Sequence, residues 1–274
     1  MTDNSQDFGL GGKLRAIRRA TLMTGVVAFH GIFEASCHAI AGPDFNRCLK
    51  IINNAANLLL KVMGVVTEIH GTPPKSALIV SNHCSYADIA IIAAQCPTTF
   101  LAKQEVSRWP VIGPTAAAVG TVFVDRDSAE SRRASRQRVR DRIAQGIAIT
   151  VFPEGTTTAG PGTLDFRPGT FATAVSANVP VAPVAIAYHD PRDTWVGDQS
   201  FVSHLLERFQ APAVKVSVSF GPLLQSDDVE LLRSDAQRWV RDELERLHSE
   251  IKTPYHVISP TLWVGDPSHL AHPT

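Results

Sequence analysis

From residue 66 to residue 220 the chain alternates short apolar runs, rich in β-branched residues, with stretches of helical character. The runs Val66–His70, Ser76–Ser81, Thr98–Ala102, Thr121–Asp125, Ile147–Phe152, Val181–Tyr188 and Val214–Phe220 predict strands. Helices are predicted at Tyr86–Gln95, Pro110–Val119, Ala129–Gln145, Thr170–Ala177 and Phe201–Phe209, and a long one at Asp227–Ile251. Strand and helix in alternation imply an α/β fold, a mostly parallel central sheet flanked by helices. No period of about 20 to 50 residues recurs, so a repeat architecture is not expected.

The first 65 residues follow another pattern. Ala20–Phe33 is apolar, broken by His30 and preceded by Lys13, Arg15, Arg18 and Arg19. In Cys48–Val66, Ile51, Ile52, Ala55, Leu58, Leu59, Val62 and Met63 recur at helical spacing between Asn53, Asn54, Asn57 and Lys61. Two amphipathic helices are expected over residues 13–65. They either pack on the main domain or form an interfacial membrane anchor, with basic residues at headgroup level. Residues 1–12 read as a flexible tail, 66–252 as the α/β domain and 253–274, with four prolines and no Lys or Arg, as an irregular tail.

Composition narrows this picture. Lys and Arg total 26 and so do Asp and Glu, which argues against a generally basic nucleic-acid binder. No segment approaches the 18 or so uncharged apolar residues of a spanning helix, and the four cysteines form no CxxC pair. With no secretory signal evident, reduced buried thiols and the cytoplasmic face of a membrane, peripheral or monotopic, are the expected setting.

Three strand ends carry candidate chemistry. After Ala77–Val80 comes Ser81-Asn82-His83-Cys84-Ser85-Tyr86-Ala87-Asp88. A strand ending in Asn-His presents His83 at the carboxyl edge of the sheet, where open α/β sheets bind ligands. Asp88, on the first turns of the next helix, can accept from one imidazole nitrogen and leave the other free as a general base. Ile147–Phe152 similarly delivers Glu154, Gly155 and Thr156 to that edge, and Thr121–Val124 delivers Asp125 and Arg126. Each has a plainer reading: a helix-capping Asp, an ordinary strand-exit turn, a salt-bridged surface Arg.

His83-x4-Asp88, Gly120–Arg126, Phe152–Thr156 and Val179–Val184 occur in that order, with Phe100–Glu105 and Trp109–Gly113 between the first two. Together, over about residues 66 to 222, they resemble the blocks of the glycerolipid acyltransferase family, which acylates glycerol 3-phosphate, lysophosphatidic acid and related lysolipids. The resemblance implies that His83 deprotonates the acceptor hydroxyl and that Asp88 orients it. Attack falls directly on an acyl thioester, with no acyl-enzyme, cofactor or metal. It also implies substrate-binding roles for Lys103, Phe123, Arg126, Glu154, Gly155 and Thr156. The thioester is acyl-CoA or acyl carrier protein. The acceptor is a lysophospholipid, 1-acylglycerol 3-phosphate first, with lyso-ornithine lipid or glycerol 3-phosphate as alternatives.

One departure concerns the headgroup. Many phosphatidic-acid-forming members carry Arg after Glu-Gly-Thr, whereas this chain has Thr157. Arg167 is a candidate for the missing charge, and the Glu-Gly-Thr-Thr form also resembles members that acylate lyso-ornithine lipid. Pro183 is read equally as a strand-shaping proline. A Cys84–His83 nucleophilic pair is disfavoured because neighbours near a strand end point apart, and no His/Cys set has zinc-finger spacing. Six arginines in Ser131–Arg142 against one acid suit anionic headgroups, an acidic carrier protein or CoA phosphates, or simply a solvated face. The rivals from other classes are a non-catalytic lipid-binding scaffold and a hydrolase with water as acceptor.

Overall fold

The computed structural model describes residues 8–251 except 42–43, 109–112, 114–115, 118–119, 126 and 198. Two helices, α1 (Gly9–Ala41) and α2 (Phe45–Met63), precede a seven-stranded sheet. Its strands are β1 (Val65–His70), β2 (Leu78–Ser81), β3 (Thr98–Lys103), β4 (Val122–Val124), β5 (Ala148–Val151), β6 (Val181–Tyr188) and β7 (Val214–Phe220). Between and after them lie α3 (Ala87–Gln95), α4 (Ala129–Ala144), α5 (Pro168–Ala177), α6 (Phe201–Gln210) and α7 (Val229–Glu250). The helix expected over Pro110–Val119 falls mostly outside the described residues, as do 1–7 and 252–274.

The sheet order is β1-β7-β6-β2-β5-β3-β4, with all pairs parallel except β6 and β7. Strands β2 to β6 therefore end on one edge, with β2 between β6 and β5. Period-two alternation divides the core. Leu78 and Val80 of β2 pack with Val139 of α4, Phe171 of α5 and Leu232 of α7 on one face. Ile79 packs with Leu60 of α2 and with Ile91 and Ile92 of α3 on the other. Every residue of β2, β5 and β6 is buried, which is why these strands read as nearly continuous apolar runs, broken only by Ser81 and Thr150 before the closing Tyr188.

The N-terminal helices depart from expectation in detail. Only α2 is two-faced: Leu49, Ile51, Ala56 and Leu60 are buried, while Asn54, Asn57 and Lys61 face out. Asp44 caps its start by accepting from the backbone N–H groups of Asn46 and Arg47, and Gly64, at φ 76°, ends it. α1 begins four residues before Lys13, so residues 9–12 belong to the helix rather than to a tail. Its apolar side chains line the exposed side as well as the buried one: Leu10, Leu14, Ile17, Phe29, Ile32 and Ile40 are exposed, whereas Ala16 and Val26 are buried.

The basic cluster before that stretch is not wholly at the surface either. Arg19 is buried and its guanidinium donates to the carbonyls of Phe209 (3.1 Å), Ala211 (2.7 Å) and Pro212 (3.0 Å) at the end of α6. A helix C-terminus leaves carbonyls without partners and attracts cations, so Arg19 docks α1 to α6 instead of serving a headgroup. Burial and the neighbouring Arg15 and Arg18 lower its pKa. Among the described residues no helix is long and apolar enough to cross a membrane.

Candidate active site

The site is assembled where β2 and β5 end. Asn82 extends β2 by one residue in side-chain form: its Nδ2 donates to the Ile186 carbonyl (2.9 Å) and its Oδ1 accepts from the Ile186 N–H (2.8 Å). The strand end is thereby locked to β6, and the next residue, His83, emerges at a fixed place.

Asp88, in the first turn of α3, is completely buried. A buried carboxylate needs donors on both oxygens, and this one has four. Oδ2 accepts from His83 Nδ1 (2.8 Å) and from the N–H groups of Cys84 (2.7 Å) and Ser85 (2.9 Å); Oδ1 accepts from the Tyr188 hydroxyl (2.6 Å). A carboxylate only accepts, so the contact holds the proton on Nδ1 and leaves the Nε2 lone pair of His83 outward. No partner binds Nε2 among the described residues. The imidazole lies on the Phe152 ring, centroids 4.0 Å apart and planes 14° from parallel, with 18% of the side chain exposed. The histidine is thus oriented from one edge, supported on one face and open at the atom that can take a proton.

Glu154 reaches the same edge and turns inward. It is 2% exposed. Oε1 accepts from the His83 N–H (2.9 Å); Oε2 accepts from the Thr158 hydroxyl (3.1 Å) and the Leu164 N–H (2.9 Å). Thr158 also donates its backbone N–H to the His83 carbonyl at 2.7 Å. Both carboxylate oxygens are therefore engaged with protein, and Glu154 joins the His83 turn to the 155–164 loop. Burial pushes its carboxyl up to about 7, against the pull of its donors.

Gly155, at φ 78°, lies so close to Arg167 that a Cβ there would meet the guanidinium carbon at 2.9 Å. The structure thus brings Arg167 onto the Glu-Gly-Thr turn, beside exposed Thr156. Arg167 itself is exposed and makes no ion pair among the described residues. Lys103, at the end of β3, and Phe123, in β4, are half-buried on the same part of the sheet. Neither makes a hydrogen bond, ion pair or ring contact with His83, Asp88 or Glu154. Arg126 lies outside the described residues.

Cys84 is buried beside the histidine, and burial together with Asp88 and Glu154 raises its pKa well above the ordinary thiol value. A thiol held protonated in this way is a poor nucleophile. Sequence reasoning missed Tyr188, Asn82 and Thr158. The available signal for Tyr188 was its place as a phenol closing an apolar strand at the edge that carries His83.

A family model described as Acyltransferase matches residues 65–187, from β1 almost to the end of β6. The lyso-ornithine lipid O-acyltransferase of Rhizobium meliloti is 31% identical over 212 residues, covering 69% of this chain and 71% of that protein. The chain belongs to the acyltransferase family. The lyso-ornithine lipid O-acyltransferase of Pseudomonas aeruginosa is 38% identical over 144 residues, 50% of this chain and 55% of that protein. The 1-acyl-sn-glycerol-3-phosphate acyltransferase of Neisseria gonorrhoeae is 36% identical over 117 residues, 43% and 46% of the two chains. These last two matches span about half of each relative. The crystal structure of the 1-acyl-sn-glycerophosphate (LPA) acyltransferase, PlsC, from Thermotoga maritima superposes with a TM-score of 0.67 at 20% identity, over 85% of this chain and 95% of that one. It shares the acyltransferase fold, including helices that flank a largely parallel sheet.

Proposed function

We propose that the chain transfers a fatty acyl group from a soluble thioester, acyl-CoA or acyl carrier protein, to the free hydroxyl of a lysolipid. The observation that carries this reading is the His83–Asp88 pair with its outward Nε2. His83 takes the hydroxyl proton as the acceptor oxygen attacks the thioester carbonyl, the carbon–sulfur bond breaks, and the imidazolium returns the proton to the leaving thiolate. Asp88 stabilises the imidazolium between these transfers, as a buried carboxylate does for a histidine base.

Arg167, presented on the turn at Gly155, suits the anionic part of the headgroup, since a guanidinium pairs with phosphate and carboxylate alike. The family resemblance assigns Lys103 and Arg126 further basic roles toward the same headgroup. The sequence blocks put 1-acylglycerol 3-phosphate first as acceptor. Thr157, in place of a second guanidinium on the turn, favours lyso-ornithine lipid as the second reading, and the names of the Rhizobium and Pseudomonas relatives support it.

The exposed apolar side chains of α1 form the face that lies on the membrane, on its cytoplasmic side, where the soluble donor is available. Arg133, Arg136 and Arg138 of α4 make no ion pair among the described residues, whereas Arg233, Arg238, Arg241 and Arg246 of α7 each pair with an acid. That unbalanced charge supports an anionic neighbour for α4, in lipid or in the donor. One assay tests the reaction. Thiol release from an acyl thioester must depend on added lysolipid and yield the diacyl product, with lysophosphatidic acid, glycerol 3-phosphate and lyso-ornithine lipid compared under one donor. Free fatty acid would indicate a hydrolase, and no thiol release with any acceptor would leave a binding scaffold.

A further inference from the structure

Three of the four donors on Asp88 come from its own loop. The fourth, the Tyr188 hydroxyl, comes from the last residue of β6, 100 positions away. Tyr188 is 1% exposed, and the Ser85 side chain bonds its hydroxyl in turn. The clamp between Asn82 and Ile186 fixes β6 two residues before Tyr188, so the strand pair that presents His83 also aims the phenol at Asp88. Burial and the adjacent carboxylate push the phenol well above its ordinary pKa, which keeps it a donor at any working pH.

We propose that Tyr188 is a positioning residue for acyl transfer: its hydroxyl holds Oδ1 of Asp88, leaves Oδ2 to His83 and the N–H groups of its own loop, and draws charge from the carboxylate that faces the imidazole. This rests on the general-base reading of His83 given above. Without that neutral donor the full negative charge of the carboxylate faces the imidazole, which is the difference the test reads. Other titratable side chains surround the pair without themselves bonding the Asp88 carboxylate. Cys84 lies on the same loop, and Glu154 binds the His83 backbone from the turn after β5. Asp193 and Arg208, paired at 3.2 Å, line a small cavity with Ser85 and Tyr188. His248 of α7 lines another with Cys84 and Tyr188.

The test is the pH profile of kcat/KM for the acceptor at saturating donor. In Tyr188→Phe the acid limb should move up by about one pH unit, which slows the reaction about tenfold on that limb, while acceptor KM stays within about threefold. The alkaline plateau should be largely regained. Replacing Tyr188 with 3-fluorotyrosine, a stronger donor of nearly the same shape, should move the limb the other way, and this second variant decides the matter if Tyr188→Phe fails to fold. A purely structural role predicts an even loss across the pH range and overturns the proposal, as does a limb unmoved in the fluorinated protein. His83→Ala, run in parallel, separates the two readings. If it stays active, the base assignment falls and this proposal with it. If it is inactive while the limb does not move, the role of Tyr188 alone falls.

Discussion

Asp88 and Glu154 make an instructive pair. Both follow an apolar strand of the same sheet, both reach the same edge, both are buried, and both have every oxygen occupied by protein donors. Asp88 directs one of its bonds to the imidazole of His83, and Glu154 directs one to the backbone N–H of the same residue. One carboxylate therefore acts on the proton chemistry of the histidine and the other on where the histidine stands. An acid at a strand exit is the same signal in both cases. Its job is decided by which atom of the neighbour it meets.

The largest effect that sharpens this contrast is expected at Asp88. In Asp88→Asn an amide NH2 replaces one of two oxygens that between them accept from four donors, and the imidazole is free to adopt the tautomer that blocks Nε2. Acyl transfer should fall by about 10³- to 10⁴-fold, with a smaller change in acceptor KM, in a steady-state thiol-release assay. In Glu154→Gln the amide leaves a buried N–H facing a donor, at a stability cost of about 1–3 kcal/mol by chemical denaturation. Because the His83 turn then loosens, kcat should drop about 10- to 100-fold. If Glu154→Gln instead raised acceptor KM with kcat and stability unchanged, Glu154 would be a substrate ligand and the contrast would be lost.

The same residue makes a pH prediction. Below pH 4.5, the ordinary glutamate value, Glu154 is protonated whether the chain is folded or not. As pH rises toward about 7, the unfolded chain has released its proton while the folded chain retains it, so this group's stabilising contribution is lost across that window. From pH 4.5 to 8 the melting temperature of the parent chain should fall relative to that of Glu154→Gln. Parallel curves would contradict a raised Glu154. The smallest effect is at Arg167, which the Glu154 turn carries but which touches neither carboxylate. Arg167→Ala should raise acceptor KM roughly tenfold, leaving thioester KM and stability nearly unchanged.

Much of the fold is legible because burial writes itself into composition. β2, β5 and β6 are covered on both faces, so Leu78–Val80, Ala148–Val151 and Val181–Tyr188 stand out as nearly continuous apolar runs, and the strand–helix alternation orders them. His83 and Asp88 were legible because they are close in sequence on a strand–helix junction. Tyr188 was not, because its bond to Asp88 spans 100 positions and depends on the β6–β2 register. The inward turn of Glu154 was hidden because its bond to the His83 N–H spans 71 positions, and its nearer partners Thr158 and Leu164 lie in an irregular loop. Arg19 looked like a headgroup residue since charge before an apolar helix is its only local feature. Its actual partners, the last carbonyls of α6, are about 190 residues away.

The most direct test of the account is the lysolipid-dependent thiol release of His83→Ala, measured with the acceptor that the panel selects. The variant loses contacts made by its ring, so circular dichroism and melting must first show that the fold is kept. A loss of at least about 10³-fold in kcat at unchanged donor KM is expected, with no recovery at alkaline pH. A folded His83→Ala protein that forms diacyl lipid at near-parent rates would contradict it.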